Sequence, residues 1–187
     1  MKSILIINNA EPGIDEFVEP LQKIVKNAGL EYMVADYKES GKLIFNKFDG
    51  IILSGSPQGD DIVEHHSHFF QWLKTIEKPV FGICAGHHIT GFLYGAELLR
   101  SKEPESGKLP VNVIKNDIVF DGLPKQIIVK QMHNDSVTLP DDFELLATSD
   151  GCNNQMMKHK NKPFYTTQFH PEFYNQDLIR NFITHCV

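Results

Sequence analysis

FGICAGHH, residues 81–88, sets a cysteine midway between two glycines, at the end of an apolar run and just ahead of a pair of histidines. A structural cysteine needs no such flanks. The Gly82-x-Cys84-x-Gly86 spacing is that of a sharp turn leaving a strand and entering a helix. Side chains at the two flanking positions would collide there, while the central residue projects above the sheet. The stretch therefore predicts a strand over Pro79–Ile83, a helix from Gly86, and Cys84 at that helix's mouth. Oriented backbone N–H groups at such a terminus favour the thiolate and lower a thiol's pKa.

Outward from this turn, Ser3–Ile7 and Gly50–Leu53 are likewise apolar throughout rather than alternating, as expected of parallel strands covered on both faces. Ile14, Phe17, Leu21, Ile24, Val25 and Ala28 follow one face of a helix that Gly29 would stop. Phe69, Leu73 and Ile76 predict a second helix, and Ile89 to Leu98 a third, so the first half reads β-α-β-β-α-β-α. That order implies right-handed crossovers and an α/β fold with an open, mostly parallel sheet and helices on both faces. Past about residue 100 the short runs Val111–Ile114, Ile127–Gln131, Glu144–Thr148 and Phe164–Phe169 are separated by turn pairs such as Asp121-Gly122 and Asp150-Gly151. They predict antiparallel strands added to the sheet in the C-terminal half. A last helix is expected over Gln176 to Cys186, and no linker or repeat divides residues 1–187, which read as one domain.

The composition, 41% apolar and 22% charged, is that of a soluble globular protein, and a net charge of −6 argues against a nucleic-acid or anionic-membrane surface. Three cysteines at long irregular spacings form neither a disulfide framework nor a zinc pattern, so reduced thiols and a cytoplasmic location are expected. The N-terminal apolar run is too short for a signal sequence and reads as a first strand.

A cysteine nucleophile requires a base near in space and a group to orient it. QFHPEF, residues 168–173, offers both: in an extended segment His170 and Glu172 lie on one face, and Pro171 stiffens the pair. A developing oxyanion needs donors. One is the backbone N–H of Ala85, following the nucleophile. The second would come from LSGSPQG, residues 53–59, where Gly55 and Ser56 form a tight turn after a strand. EHHSHFF, residues 64–70, gathers His65, His66 and His68 without accompanying ligands, so a solvated helix face is expected rather than a metal site.

LSGSP, GICAGHH and QFHPE, in this order, resemble the class I (triad) glutamine amidotransferases. KQMHNDSVTLP and LATSDGCNNQMMKHKNKPFYTTQFHPE are similar to the glutaminase part of GMP synthases in particular. The resemblance implies a three-layer, flavodoxin-like fold and glutamine hydrolysis through a Cys84 thioester, with His170 as acid and base and Glu172 orienting it. It also implies that the ammonia passes to a separate ATP-dependent synthetase. No cofactor is then expected in this chain, ATP and Mg²⁺ belonging to the partner. The resemblance places His133, Asn134 and Asp135 beside bound glutamine.

Two positions depart from the family's usual residues. Ser56 replaces a glycine, so a positive φ there would be strained. His88 replaces a glutamine that helps hold the substrate, and its different reach and charge leave a second reading open, a free-standing hydrolase or peptidase of γ-glutamyl amides. A third reading is a regulatory binding protein with an inactive site.

Overall fold

The computed structural model describes residues 2–100 and 104–187. In chain order its strands and helices are β1 (Ser3–Asn8), α1 (Glu19–Asn27), β2 (Glu31–Asp36), β3 (Gly50–Leu53), α2 (Ile62–His66), β4 (Val80–Ile83), α3 (Ala85–Leu93), β5 (Leu98–Leu99), β6 (Glu105–Val113), β7 (Gln126–His133), β8 (Ser136–Val137), β9 (Phe143–Thr148), β10 (Met156–His159), β11 (Phe164–Thr167) and α4 (Asp177–Cys186). Nine strands form one sheet in the order β2-β1-β3-β4-β11-β10-β9-β6-β7, and β5 pairs with β8 apart from it. The expected open α/β sheet with an antiparallel extension is present.

Strand periodicity explains the layers. Ile4, Ile6, Ile52, Phe81 and Ile83 point to one face, where Leu21, Ile24 and Val25 of α1 and Leu178, Ile179 and Phe182 of α4 cover them. Leu5, Ile7, Ile51, Leu53 and Val80 point to the other, against Ile62 and Val63 of α2, Phe70 and Leu73, and Ile89 and Leu93 of α3. Each apolar strand is thus buried on both sides, which is why it shows no polar alternation.

Four expectations need correction. The first helix begins at Glu19, not Ile14, because Pro20 suits a first turn and has no N–H to give to an interior one. Glu16 to Val18 instead form a turn, and Phe17 packs against His170 with ring centroids 5.2 Å apart. The second helix is the short α2 followed by a 3₁₀ segment, Ser67–Lys74. The third spans 85–93, not 89–98, ending ahead of Gly95, which has a φ of +92°. Finally, Phe164–Phe169 is not an antiparallel addition throughout: β11 runs parallel to β4 and antiparallel to β10. All four β11 residues are buried, as an interior parallel strand requires.

Neighbouring order now fixes the site. β1, β3, β4 and β11 are adjacent and parallel, so the loops at their carboxyl ends converge on one rim: Asn9, Ser54–Ser56, Cys84 and Gln168–His170. Chain order reverses beside β1, which lies between β2 and β3, and open α/β sheets bind ligands at such a rim.

Candidate active site

Cys84 takes φ 47° and ψ −93°, a left-handed conformation unfavourable for a residue with a Cβ. The surroundings hold it there. Its N–H donates to Thr167 O at 2.7 Å across to β11, and its own carbonyl accepts from His88 N at 2.9 Å as α3 begins. The flanking glycines are steric requirements: a Cβ on Gly82 would lie 2.9 Å from the Gly86 carbonyl, and one on Gly86 would lie 2.7 Å from the Leu53 Cβ. The first N–H groups of α3, Ala85's among them, have no intrahelical acceptor, and Cys84 is their N-cap residue.

His170 is 1% exposed and Glu172 fully buried, and the His170 Nδ1 lies 2.7 Å from the Glu172 Oε1. Backbone tethers set the histidine, whose N–H donates to Lys130 O of β7 at 2.9 Å. The ring interacts with the Cys84 sulfur as well as with the carboxylate. Burial alone would lower its pKa, but the charge of Glu172 and then the adjacent sulfur overcome this and raise it to about 10. The imidazolium is therefore the favoured form while an anion faces it.

The second wall is the loop after β3. Ser54 Oγ accepts from Asn9 N at 3.0 Å, and the Asn9 side chain donates to Ser54 O at 2.6 Å, so the end of β1 pins this turn. Gly55 must be glycine for reasons of space, since a Cβ there would stand 2.7 Å from His170 Cε1 and 2.9 Å from Phe17 Cδ1. The strain expected at Ser56 is absent: among the described residues other than glycine, only Cys84 and Asn175 have positive φ.

Between these walls lies a pocket of about 220 Å³ lined by Ser56, Pro57, Cys84, Ala85, His88, Met132, His133, Asn134 and Asp135, among others. Pockets for drug-sized ligands run to roughly 300–1,000 Å³, so this one suits something the size of an amino acid. Every catalytic or substrate-binding residue expected from the sequence borders it except Gly55, which abuts the His170 ring, and the buried His170 and Glu172 themselves.

Asp135, 2% exposed, is paired with Arg100 Nη1 at 2.6 Å, and Arg100 also reaches Asp61 at 3.3 Å. His133 pairs through Nε2 with Glu105 at 3.0 Å and through Nδ1 with Asp135 O at 2.9 Å. Arg100, Glu105 and Gln168 escape a reading of the sequence, because no local spacing signals partners 28 to 84 residues away in the chain. His88 turns its Nε2 to Gln168 Oε1 at 2.7 Å.

The histidines of residues 64–70 and the other two thiols lie elsewhere. His65 and His68 are exposed, as expected of a solvated face, but His66 is not: it is fully buried, stacked on Tyr37 at 3.8 Å, with Nε2 3.1 Å from Asn9 O. Burial lowers its pKa to about 4. Cys152 and Cys186 are free thiols, both raised in pKa by burial. No helix among the described residues is long and apolar enough to cross a membrane.

The glutamine amidotransferase class-I family model matches residues 13–186. The glutamine-hydrolysing GMP synthase subunit of Thermoplasma acidophilum is 40% identical over 144 aligned positions, 74% of this chain and 72% of that protein. Its counterpart from Pyrococcus furiosus is 31% identical over 195 aligned positions, covering 98% of each. Among solved structures, a candidate GMP synthase subunit from Thermoplasma acidophilum has a TM-score of 0.89 at 31% identity, covering 100% of this chain and 94% of the other. A glutamine amidotransferase from Thermotoga maritima shares the fold at a TM-score of 0.75 and 22% identity, covering 98% of this chain and 81% of the other.

Proposed function

The chain belongs to the class-I glutamine amidotransferase family, and from that membership we propose that it is the glutamine-hydrolysing subunit of a two-part GMP synthase. The observation that carries the chemistry is the buried His170–Glu172 pair held against Cys84 at the mouth of a small pocket.

Glutamine enters with its side-chain amide over Cys84. The thiolate forms a bond to the amide carbon, and the oxygen takes the electron pair. Backbone N–H groups of Ala85 and the Gly55–Ser56 turn receive that charge. Collapse breaks the C–N bond, and His170 gives its proton to the leaving nitrogen, releasing ammonia. Acylation removes one of the two anions that raised the His170 pKa, the thiolate, while Glu172 remains, so the imidazolium becomes a better acid at the step that needs one. The now neutral imidazole takes a proton from water, whose oxygen attacks the thioester carbonyl. Glutamate leaves, and the thiolate–imidazolium pair returns. Glu172 keeps His170 in the tautomer with its proton on Nδ1, leaving Nε2 for the sulfur.

At the pocket wall, Asp135 with Arg100 and His133 with Asn134 hold the amino-acid end of glutamine. The ammonia goes to a separate synthetase that carries the ATP and Mg²⁺ sites and activates XMP. The hydrolytic steps above are carried by water and by backbone and side-chain groups of this chain. The names of the GMP synthase relatives, and the 98% coverage of the Pyrococcus furiosus one, support the partner assignment. Ammonia release from glutamine, measured for wild type and Cys84→Ala with and without the synthetase half of a GMP synthase, tests the proposal. Turnover that rises with the partner and vanishes in the variant is expected. Partner-independent hydrolysis of other γ-glutamyl amides would favour the free-standing hydrolase instead.

A further inference from the structure

Gln168 is fully buried between three parts of the site and has no role in the hydrolytic steps. Its backbone N–H donates to Gln155 O at 2.9 Å, and the Cys84 N–H donates at 2.7 Å to the carbonyl of the preceding residue, Thr167. Its side chain therefore leaves a fixed backbone. Oε1 lies 2.7 Å from His88 Nε2, and Nε2 lies 3.9 Å from the Cys84 sulfur. An amide oxygen only accepts, so His88 carries its proton on Nε2 and holds the carboxamide with its NH₂ end toward the sulfur. An amide N–H facing sulfur favours the thiolate over the thiol.

We propose that Gln168 is a positioning residue that donates to the Cys84 thiolate, and that His88 acts on catalysis by fixing which end of the Gln168 amide faces the sulfur. The inference rests on the reading of Cys84 as nucleophile and deepens it. It also assigns His88 a task other than holding substrate, because its Nε2 is committed to Gln168. The ionisable groups that share this neighbourhood are His170 with Glu172 behind it, His88 and His87 on α3, and, across the pocket, His133 with Glu105 and Asp135 with Arg100.

The test is the rate of Cys84 alkylation by iodoacetamide, followed peptide by peptide by mass spectrometry between pH 4 and 10, beside ammonia release. Gln168→Leu is expected to raise the alkylation midpoint by about one pH unit and to lower kcat more than it raises KM. Gln168→Glu, nearly isosteric, should raise the midpoint further, because a carboxylate repels the thiolate. His88→Leu should shift it the same way by less, since the amide loses its anchor but not its N–H. A wild-type midpoint in folded Gln168→Glu overturns the proposal, and this variant decides the matter should Gln168→Leu not fold. Alkylation requires no glutamine turnover. A shifted midpoint in a protein that releases no ammonia would sink the glutaminase reading alone, and an unshifted one with ammonia release intact would sink this proposal alone.

Discussion

The His170 Nδ1 and the Glu172 Oε1 lie 2.7 Å apart with neither side chain open to solvent, brought together by a turn over Pro171–Phe173 in which Phe173 N donates to His170 O at 3.4 Å, not by the extended segment expected from the sequence. A pair so buried is strongly coupled, because removing the charge of one partner leaves the other unmatched in a dry site. Glu172→Gln keeps the shape and removes the charge. It is expected to lower ammonia release by about 10²–10⁴-fold with little change in KM, measured by steady-state kinetics on the assembled enzyme.

The same pair makes stability depend on pH in a definite direction. Since folding raises the His170 pKa from 6.5 to about 10, the folded state binds the proton more tightly than the unfolded chain does. The resulting stabilisation is fully present below pH 6.5 and is lost as pH rises toward 10. Urea midpoints of wild type and His170→Ala should converge across that interval. A gap that widened with rising pH would contradict the assignment.

Gly55→Ala should impair chemistry more than folding. The new Cβ meets the edge of the His170 ring and the Phe17 ring, both side chains that can shift, but the shift moves the base away from the sulfur. A loss of about 10²-fold in kcat is expected, with a destabilisation of about 1–3 kcal/mol. Gly86→Ala differs, because its Cβ meets the Leu53 carbonyl oxygen at 2.9 Å as well as the Leu53 Cβ, and backbone cannot rotate away. Its denaturation midpoint should therefore fall further than that of Gly55→Ala.

Much of this arrangement is legible because it depends on local spacing. The two glycines around Cys84 are a short-range geometric fact, and Cys84 does stand between β4 and α3; His170 and Glu172 also meet, but through a turn over Pro171–Phe173 and not through the extended segment that their two-residue step suggests. What cannot be read depends on register between distant segments. Nothing in the order of residues places Gln168 beside His88 until β11 enters the sheet next to β4, or Arg100 across from Asp135 until β5 pairs with β8. Phe17 misleads for a related reason, since its apolar periodicity continues that of α1, yet Pro20 starts the helix later and leaves Phe17 to pack on His170. Ser56 misleads because the family's glycine suggests a positive φ, which this backbone does not use.

The central claim is that Cys84 is the nucleophile toward a γ-glutamyl group. The most direct test is to incubate the protein with an electrophilic glutamine analogue, with and without excess glutamine, and to locate the adduct by peptide mass spectrometry. A single adduct on Cys84 that glutamine suppresses and that His170→Ala slows is predicted. Labelling on Cys152 or Cys186 instead, or ammonia release that survives in Cys84→Ala, would contradict the account.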